Sequence, residues 1–377
     1  MRRLTSFDFK TILRSSLIAF SFVVGLELSL RPSLGVQLSL VLISLLSLVF
    51  SADTLRRYGR QLIFFLTYIF STWLVINFLD LIKGNFESFN VAILLTLTYA
   101  SLTAYLLLYS VVNIWILKIA QYAILSYFAI QCITYGALDP EIFVYSSRSF
   151  ISTILLGISV PIQFLNYQKN NRVEILPPLL IAYISFFSWS RTGFVCSVLY
   201  ALIILFFSIN RFHGKFTKTA IGIVTVILTT WFIKNNFDLI DQIDVLAKFE
   251  EKGMDLAGRD NMWKNYFKDF GLTELFLGGE IASVESGVEN AHNSLIQLHG
   301  QLGFIGLCIL IFIVKRWIYL LRENFFLFLL LSTLLALCAF NLVFFFTIYD
   351  FAIYMFIFSK QSLIERKTNE RIKLSIF

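Results

Sequence analysis

The chain has 377 residues, 58% of them hydrophobic and 15% charged, with a net charge of +7. A soluble domain has about 25% charged residues, and a water-soluble fold of this length has no means of hiding so much apolar surface. Lipid as solvent removes the difficulty, because apolar side chains then face outward; the positive charge is accordingly not read as a nucleic-acid signal.

Crossing a bilayer takes about 20 apolar residues per helix. On that basis spans fall at 12–30, 34–50, 61–82, 91–110, 116–135, 149–167, 174–190, 193–210, 219–234, 294–314, 325–341 and 343–359. The fourth and fifth are parted only around Asn113 and Lys118, and the break near Asn341 is the weakest, so the count is twelve or eleven. The expected fold is all-α: a polytopic transmembrane helical bundle with a helical periplasmic loop. Residues 1–234 hold spans one to nine, 235–293 form the extracytoplasmic loop, and 294–377 hold the last spans and a cytoplasmic tail. The first apolar run leads into further spans, so no cleavable signal peptide is expected. Cys132, Cys196, Cys308 and Cys338 lie in apolar runs without paired spacing and read as small core residues.

Orientation follows from Lys and Arg in the short loops. With the N-terminus placed inside, the inner segments carry Arg2, Arg3, Lys10 and Arg14; Arg56, Arg57 and Arg60; Lys118; Lys169 and Arg172; Arg211, Lys215 and Lys218; Lys315, Arg316 and Arg322; and the tail from Lys360 to Lys373. That is 21 basic against 6 acidic residues inside, and 10 against 18 elsewhere, so both termini are expected in the cytoplasm. Glu27, Asp80 and Asp350 fall near outer span ends, where Asp80 and Asp350 are free to face water.

The loop at 235–293 holds 12 acidic residues and is too polar to insert. Met262, Trp263, Tyr266, Phe267 and Phe270 recur on one helical face, opposite Asp260, Lys264, Lys268 and Asp269. Leu239, Ile240, Ile243, Leu246 and Phe249 make a second stripe. Both read as amphipathic helices lying along the membrane or capping the bundle.

Three residues stand out beside this pattern. Arg191, in Ser190-Arg191-Thr192, sits between the seventh and eighth spans. It either snorkels to the outer headgroups or clamps an anion, for which its planar fork is suited. Arg259 opens the aromatic-striped helix, and on its own reads as a solvated residue beside Asp260. His292 ends the loop directly before the tenth span, where an imidazole titrating near pH 6.5 can accept a proton as general base, although a histidine judged singly is more often structural than catalytic. Of the other histidines, His213 lies in a basic inner loop and His299 fits core packing.

Residues 258–306 carry Gly-Arg-x-x-x-Trp, a glycine turn at Gly278 and Gly279, and His-Asn leading into Gly303 and Gly306. Together with Ser190-Arg191 upstream, this resembles the O-antigen ligase and polymerase superfamily over roughly 188–310, the adjacent glycines departing from the expected spacing. The resemblance implies glycosyl transfer at the outer face of the bacterial inner membrane. The donor would be an undecaprenyl-pyrophosphate-linked oligosaccharide and the acceptor a sugar hydroxyl. Arg191 and Arg259 would hold and stabilise the pyrophosphate, His292 would act as base, and Ser190, Trp263 and Asn293 would bind substrate. No cofactor or metal is implied, and the chain has neither a phosphate-binding Gly loop nor an Asp-x-Asp pair. Expected partners are membrane lipid and a chain-length regulator and flippase of the same pathway. Polymerase is preferred to ligase, which would pass the glycan to lipid A core. A secondary transporter or flippase is the remote alternative, since no repeat of two matching halves is visible.

Overall fold

The computed structural model describes residues 8–83, 90–143, 150–188, 190–209, 259–268, 270–279, 293–340 and 344–359. Among the described residues every regular element is a helix. In chain order these are α1 (Phe9–Leu30), α2 (Leu34–Val49), α3 (Ala52–Ile82), α4 (Val91–Tyr109), α5 (Ile114–Tyr135), α6 (Ile151–Asn170), α7 (Leu176–Phe186) and α8 (Arg191–Ile209). Then come α9 (Arg259–Lys268), α10 (Leu272–Leu277), α11 (Ser294–Leu302), α12 (Phe304–Glu323), α13 (Phe325–Phe340) and α14 (Asp350–Ser359). A 3₁₀ turn, Pro140–Phe143, follows α5.

Six of these, α1, α3, α4, α5, α8 and α12, are long and apolar enough to cross a membrane; α2, α7, α13 and α14 are shorter apolar helices. The apolar surface faces outward as a lipid solvent demands. On α2, Leu34, Leu38, Leu42, Leu45 and Val49 are all exposed. Helix ends are set by small polar residues, which satisfy N–H groups that the first turn leaves open. Ser33 Oγ accepts from Val36 N at 3.2 Å, Asn90 Oδ1 from Ile93 N at 3.2 Å, and Asn113 Oδ1 from Trp115 N at 3.0 Å.

Polar contacts mark two ends of the bundle and show consecutive helices running antiparallel. At the first end, Asn113 N donates to Ser15 Oγ at 2.8 Å, Lys169 Nζ to Val112 O at 2.8 Å, and Tyr109 OH to Phe358 O at 3.2 Å. Lys118 and Glu174 form a largely buried ion pair there. At the second end, Ser29 Oγ meets Tyr349 OH at 2.8 Å, Asn90 N donates to Asn77 Oδ1 at 3.3 Å, and Lys83 Nζ donates to Gly300 O at 3.0 Å. Between them aromatic side chains fill the interior, with Phe22 stacked on Phe351 at 5.6 Å and Phe164 edge-on to Phe356 at 5.0 Å.

The expected spans and the observed helices differ most in three places. The run 294–314 is not one helix: it breaks at Gly303 into α11 and α12. α3 begins at Ala52, well before its apolar run, because Arg56, Arg57 and Arg60 are compatible with a helix once it has left lipid. Residues 344–349 are irregular, and α14 starts only at Asp350. Asp350 itself is buried, not water-facing. Its carboxylate accepts from Phe345 N at 2.7 Å, Phe346 N at 2.6 Å and Thr347 N at 3.2 Å, closing the turn into α14. Cys132, Cys196 and Cys338 are buried free thiols, whereas Cys308 is exposed on α12. The ninth span at 219–234 and the Leu239–Phe249 stripe lie outside the described residues, as do His213 and the cytoplasmic tail.

Candidate functional site

The Ser190-Arg191 element is a helix start. α7 ends at Phe186, a short turn follows, and Ser190 Oγ accepts from Gly193 N at 3.0 Å, with Arg191 the first residue of α8. A ladder of buried serines fixes this elbow. Ser188 Oγ donates to Ser185 O at 2.7 Å and meets Ser152 Oγ of α6 at 3.0 Å. Ser185 Oγ meets Ser197 Oγ at 2.9 Å, and Ser197 Oγ donates to Gly193 O at 2.7 Å. Hydroxyl-to-hydroxyl bonds between helices satisfy polar groups that apolar surroundings would otherwise strand. The elbow is therefore rigid, with Ser190 buried and Arg191 half-buried.

The His-Asn element is also a helix start. Asn293 caps α11, its Oδ1 accepting from Leu295 N at 2.9 Å and Ile296 N at 3.1 Å. His292, the preceding residue and the expected base, lies outside the described residues. Beyond the cap, His299 is buried, and both ring nitrogens are engaged. A carbonyl oxygen only accepts, so Nε2 donates to Leu275 O at 3.3 Å. That leaves Nδ1 as the acceptor for the Tyr266 hydroxyl, which burial raises above the usual tyrosine range and keeps protonated. With Phe270 tilted against its ring at 5.4 Å, His299 ties α9 and α10 to α11 and has no nitrogen left over for proton transfer.

The glycines around it are contact points. Gly278 takes φ +80°, and a Cβ there would overlap the Gly300 carbonyl oxygen and lie 2.7 Å from His299 O. Gly303 takes φ +55°, and a Cβ there would overlap Phe276 O and lie 2.7 Å from Phe276 C. Only glycine permits both the left-handed backbone and the approach. The adjacent pair at 278–279 is thus accounted for: Gly278 caps α10 against α11, while Gly279 lies under the Tyr266 ring.

The aromatic stripe divides its exposure differently from expectation. Tyr266 is buried and Trp263 half-buried, but Phe267 is 55% exposed. Arg259 is the first residue of α9 in the backbone; its side chain is outside the described residues.

Two of the elements come together. Phe207 packs on Phe326 at 4.8 Å, and towards the other end Cys196 lies near Cys338, so α8 and α13 are antiparallel. Ser190 and Arg191 therefore fall beside the end of α13, at the same end of the bundle as Lys83. Just beyond α13, Phe344 N donates to Ser294 Oγ at 3.3 Å, which brings the capped start of α11 to that end as well. Three partners of this region were not read from sequence: Tyr266 on His299, Lys83 on Gly300, and Asp350 under Phe345–Thr347. Tyr266 carried a signal, as the one stripe residue with a hydroxyl; the other two depend on tertiary placement alone. Comparison with family models, with curated proteins and with solved structures finds no match.

Proposed function

We propose that the chain is a metal-independent glycosyltransferase of the bacterial inner membrane: a polymerase joining undecaprenyl-pyrophosphate-linked glycan to the sugar hydroxyl of another lipid-linked repeat at the outer face. The observation that carries this reading is the arrangement of Ser190-Arg191 and Asn293 at one end of the bundle, each at a helix N-terminus. Orientation is supported by the opposite end, which gathers Arg14, Lys118, Lys169 and Arg316.

In the proposed reaction His292 removes the proton of a sugar hydroxyl on the acceptor, which stays on its own lipid carrier, and that oxygen bonds to the anomeric carbon of the donor glycan with inversion. The bond from that carbon to the pyrophosphate oxygen breaks, and undecaprenyl pyrophosphate leaves with the electron pair. Arg191 and Arg259 meet the negative charge that grows on it. Polar groups fixed in advance and a base worth about 10²–10⁴ in rate are the means available. Ser190, Trp263 and Asn293 line the approach to the sugars.

The test uses full-length protein in detergent with a lipid-linked single repeat as sole substrate. The expected products are longer lipid-linked glycans and free undecaprenyl pyrophosphate. His292→Ala, Arg191→Ala and Arg259→Ala should each abolish them while the protein still inserts and purifies. Normal polymer from the His292 variant would sink the mechanism. Product formed only when lipid A core is added would make the enzyme a ligase.

A further inference from the structure

At the end of the bundle opposite the site above, α3, α4, α12 and α14 line an open cavity of about 660 Å³. Its cationic lining comes from Arg60, Lys315 and Arg316, with Gln61 and Tyr319 beside them, and its walls are largely aromatic, among them Phe64 and Phe312. We propose that this cavity binds the phosphate head of an anionic membrane phospholipid, whose acyl chains run outward over Phe64 and Phe312.

Arg316 is the centre of the argument. It is only 5% exposed, a guanidinium held inside a membrane-facing bundle. Its Nε donates to Phe356 O at 2.9 Å and its Nη2 to Ser359 Oγ at 2.7 Å, which fixes the plane of the fork. The guanidinium carbon lies 4.8 Å over the Tyr319 ring. Tyr319 also interacts with the guanidinium, and among the described residues Nη1 is buried and within hydrogen-bonding geometry of no acceptor. A buried cation with a free donor is costly unless an anion meets it, and the free edge belongs to a residue lining the cavity. Arg60 and Lys315, both exposed, add two charges at the rim. Among the described residues no carboxylate lines the cavity; Glu323, two turns along α12, is the acidic neighbour of Arg316. A planar, preorganised fork with two further cations suits the oxygens of a phosphodiester.

The walls decide between a lipid and a free phosphate. A site for a free ion has no use for aromatic sides, yet Phe64 is 56% and Phe312 51% exposed on the outer surface of the bundle. Polar depth agrees as well. Arg60 precedes Ile82 by 22 residues of one helix, about 33 Å at 1.5 Å per residue, against a hydrocarbon core of about 30 Å. That sets the cations at headgroup level, where basic pockets between spans take anionic lipid. The inference rests on the membrane reading and is independent of the proposed glycosyl transfer.

Purified full-length protein, stripped of lipid in detergent, would be titrated with phosphatidylglycerol, cardiolipin, phosphatidylcholine and inorganic phosphate. Binding would be read by native mass spectrometry and by melting temperature. The two anionic lipids should bind and raise the melting temperature, and phosphatidylcholine should do neither. An equal rise with inorganic phosphate, or with phosphatidylcholine, would overturn the assignment to an anionic lipid. Arg316→Gln removes two hydrogen bonds to α14 and is open to simple misfolding, so the decisive variant is the rim pair Arg60→Gln with Lys315→Gln. It should fold, and should bind phosphatidylglycerol at least tenfold more weakly; unchanged binding would refute the site.

Discussion

Gly303→Ala is the sharpest test of how the end of the bundle that holds α10 and α11 is built. The residue sits at φ +55° between α11 and α12, and the new methyl would overlap Phe276 O and press on the carbons behind it. Holding alanine in that backbone region costs about 1–3 kcal/mol. Relieving the overlap displaces α10, a cost like that of overpacking a core, about 1–3 kcal/mol more. A total near 4 kcal/mol corresponds to a fall of about 8 °C or more in apparent melting temperature at 2–4 °C per kcal/mol. Because α10 and α9 hang on α11 through His299, the loss should extend to polymer formation. Gly35→Ala supplies the control: it lies in α2 with nothing within 4 Å of its would-be Cβ, and alanine should be neutral or slightly stabilising there. Melting curves of purified protein decide the matter. If Gly303→Ala melted with wild type and kept full activity, the close approach of Phe276 in α10 to the break at Gly303 would be wrong.

Asn293→Ala should cost about 0.5–2 kcal/mol through loss of the α11 cap. Asn293→Asp should restore the melting temperature; recovery of turnover with it would show that the side chain acts only as a cap, and its absence would show a contact with substrate. Lys118→Met should destabilise by about 3 kcal/mol, because it leaves Glu174 charged and only 26% exposed beside an apolar replacement. Adding Glu174→Gln should recover much of that loss, and a double variant no better than the single would refute a charge-based cause.

The spans were legible where hydropathy and helicity coincide, as in α1, α2, α4 and α5. Three of the apolar runs begin beside polar residues, Ser33, Asn90 and Asn113, that cap the helices in the structure. The sequence misled where the two properties part. A run such as Leu302–Val314 is evenly apolar, so the break at Gly303 leaves no trace in hydropathy, and only its φ reveals it. Residues 344–349 are mostly apolar yet irregular: the Asp350 carboxylate takes the N–H groups of Phe345, Phe346 and Thr347, and Ser294 Oγ takes that of Phe344. Asp350 read as water-facing for the same reason: a lone acid near a span end looks solvated until its backbone partners are known. Arg316 counted merely as one of the inner basic residues, although burial and an open Nη1 set it apart.

The elements that suggested glycosyl transfer share a structural property that their residue types do not reveal. Ser190 and Asn293 cap helices, and Arg191 and Arg259 are the first residues of theirs. A helix N-terminus carries roughly half a positive charge, so a cation placed there is opposed by about 0.3–1 kcal/mol. α8 has no acidic residue in its first turn to offset Arg191, whereas α9 has Asp260 beside Arg259. Evolution could have placed Arg191 one turn later at less cost to the helix. On the proposed reading an anion meets this helix terminus, where the dipole and the guanidinium act on it together. A pyrophosphate gaining charge as it leaves a sugar is an anion of that kind, and it profits most at the moment when the bond breaks.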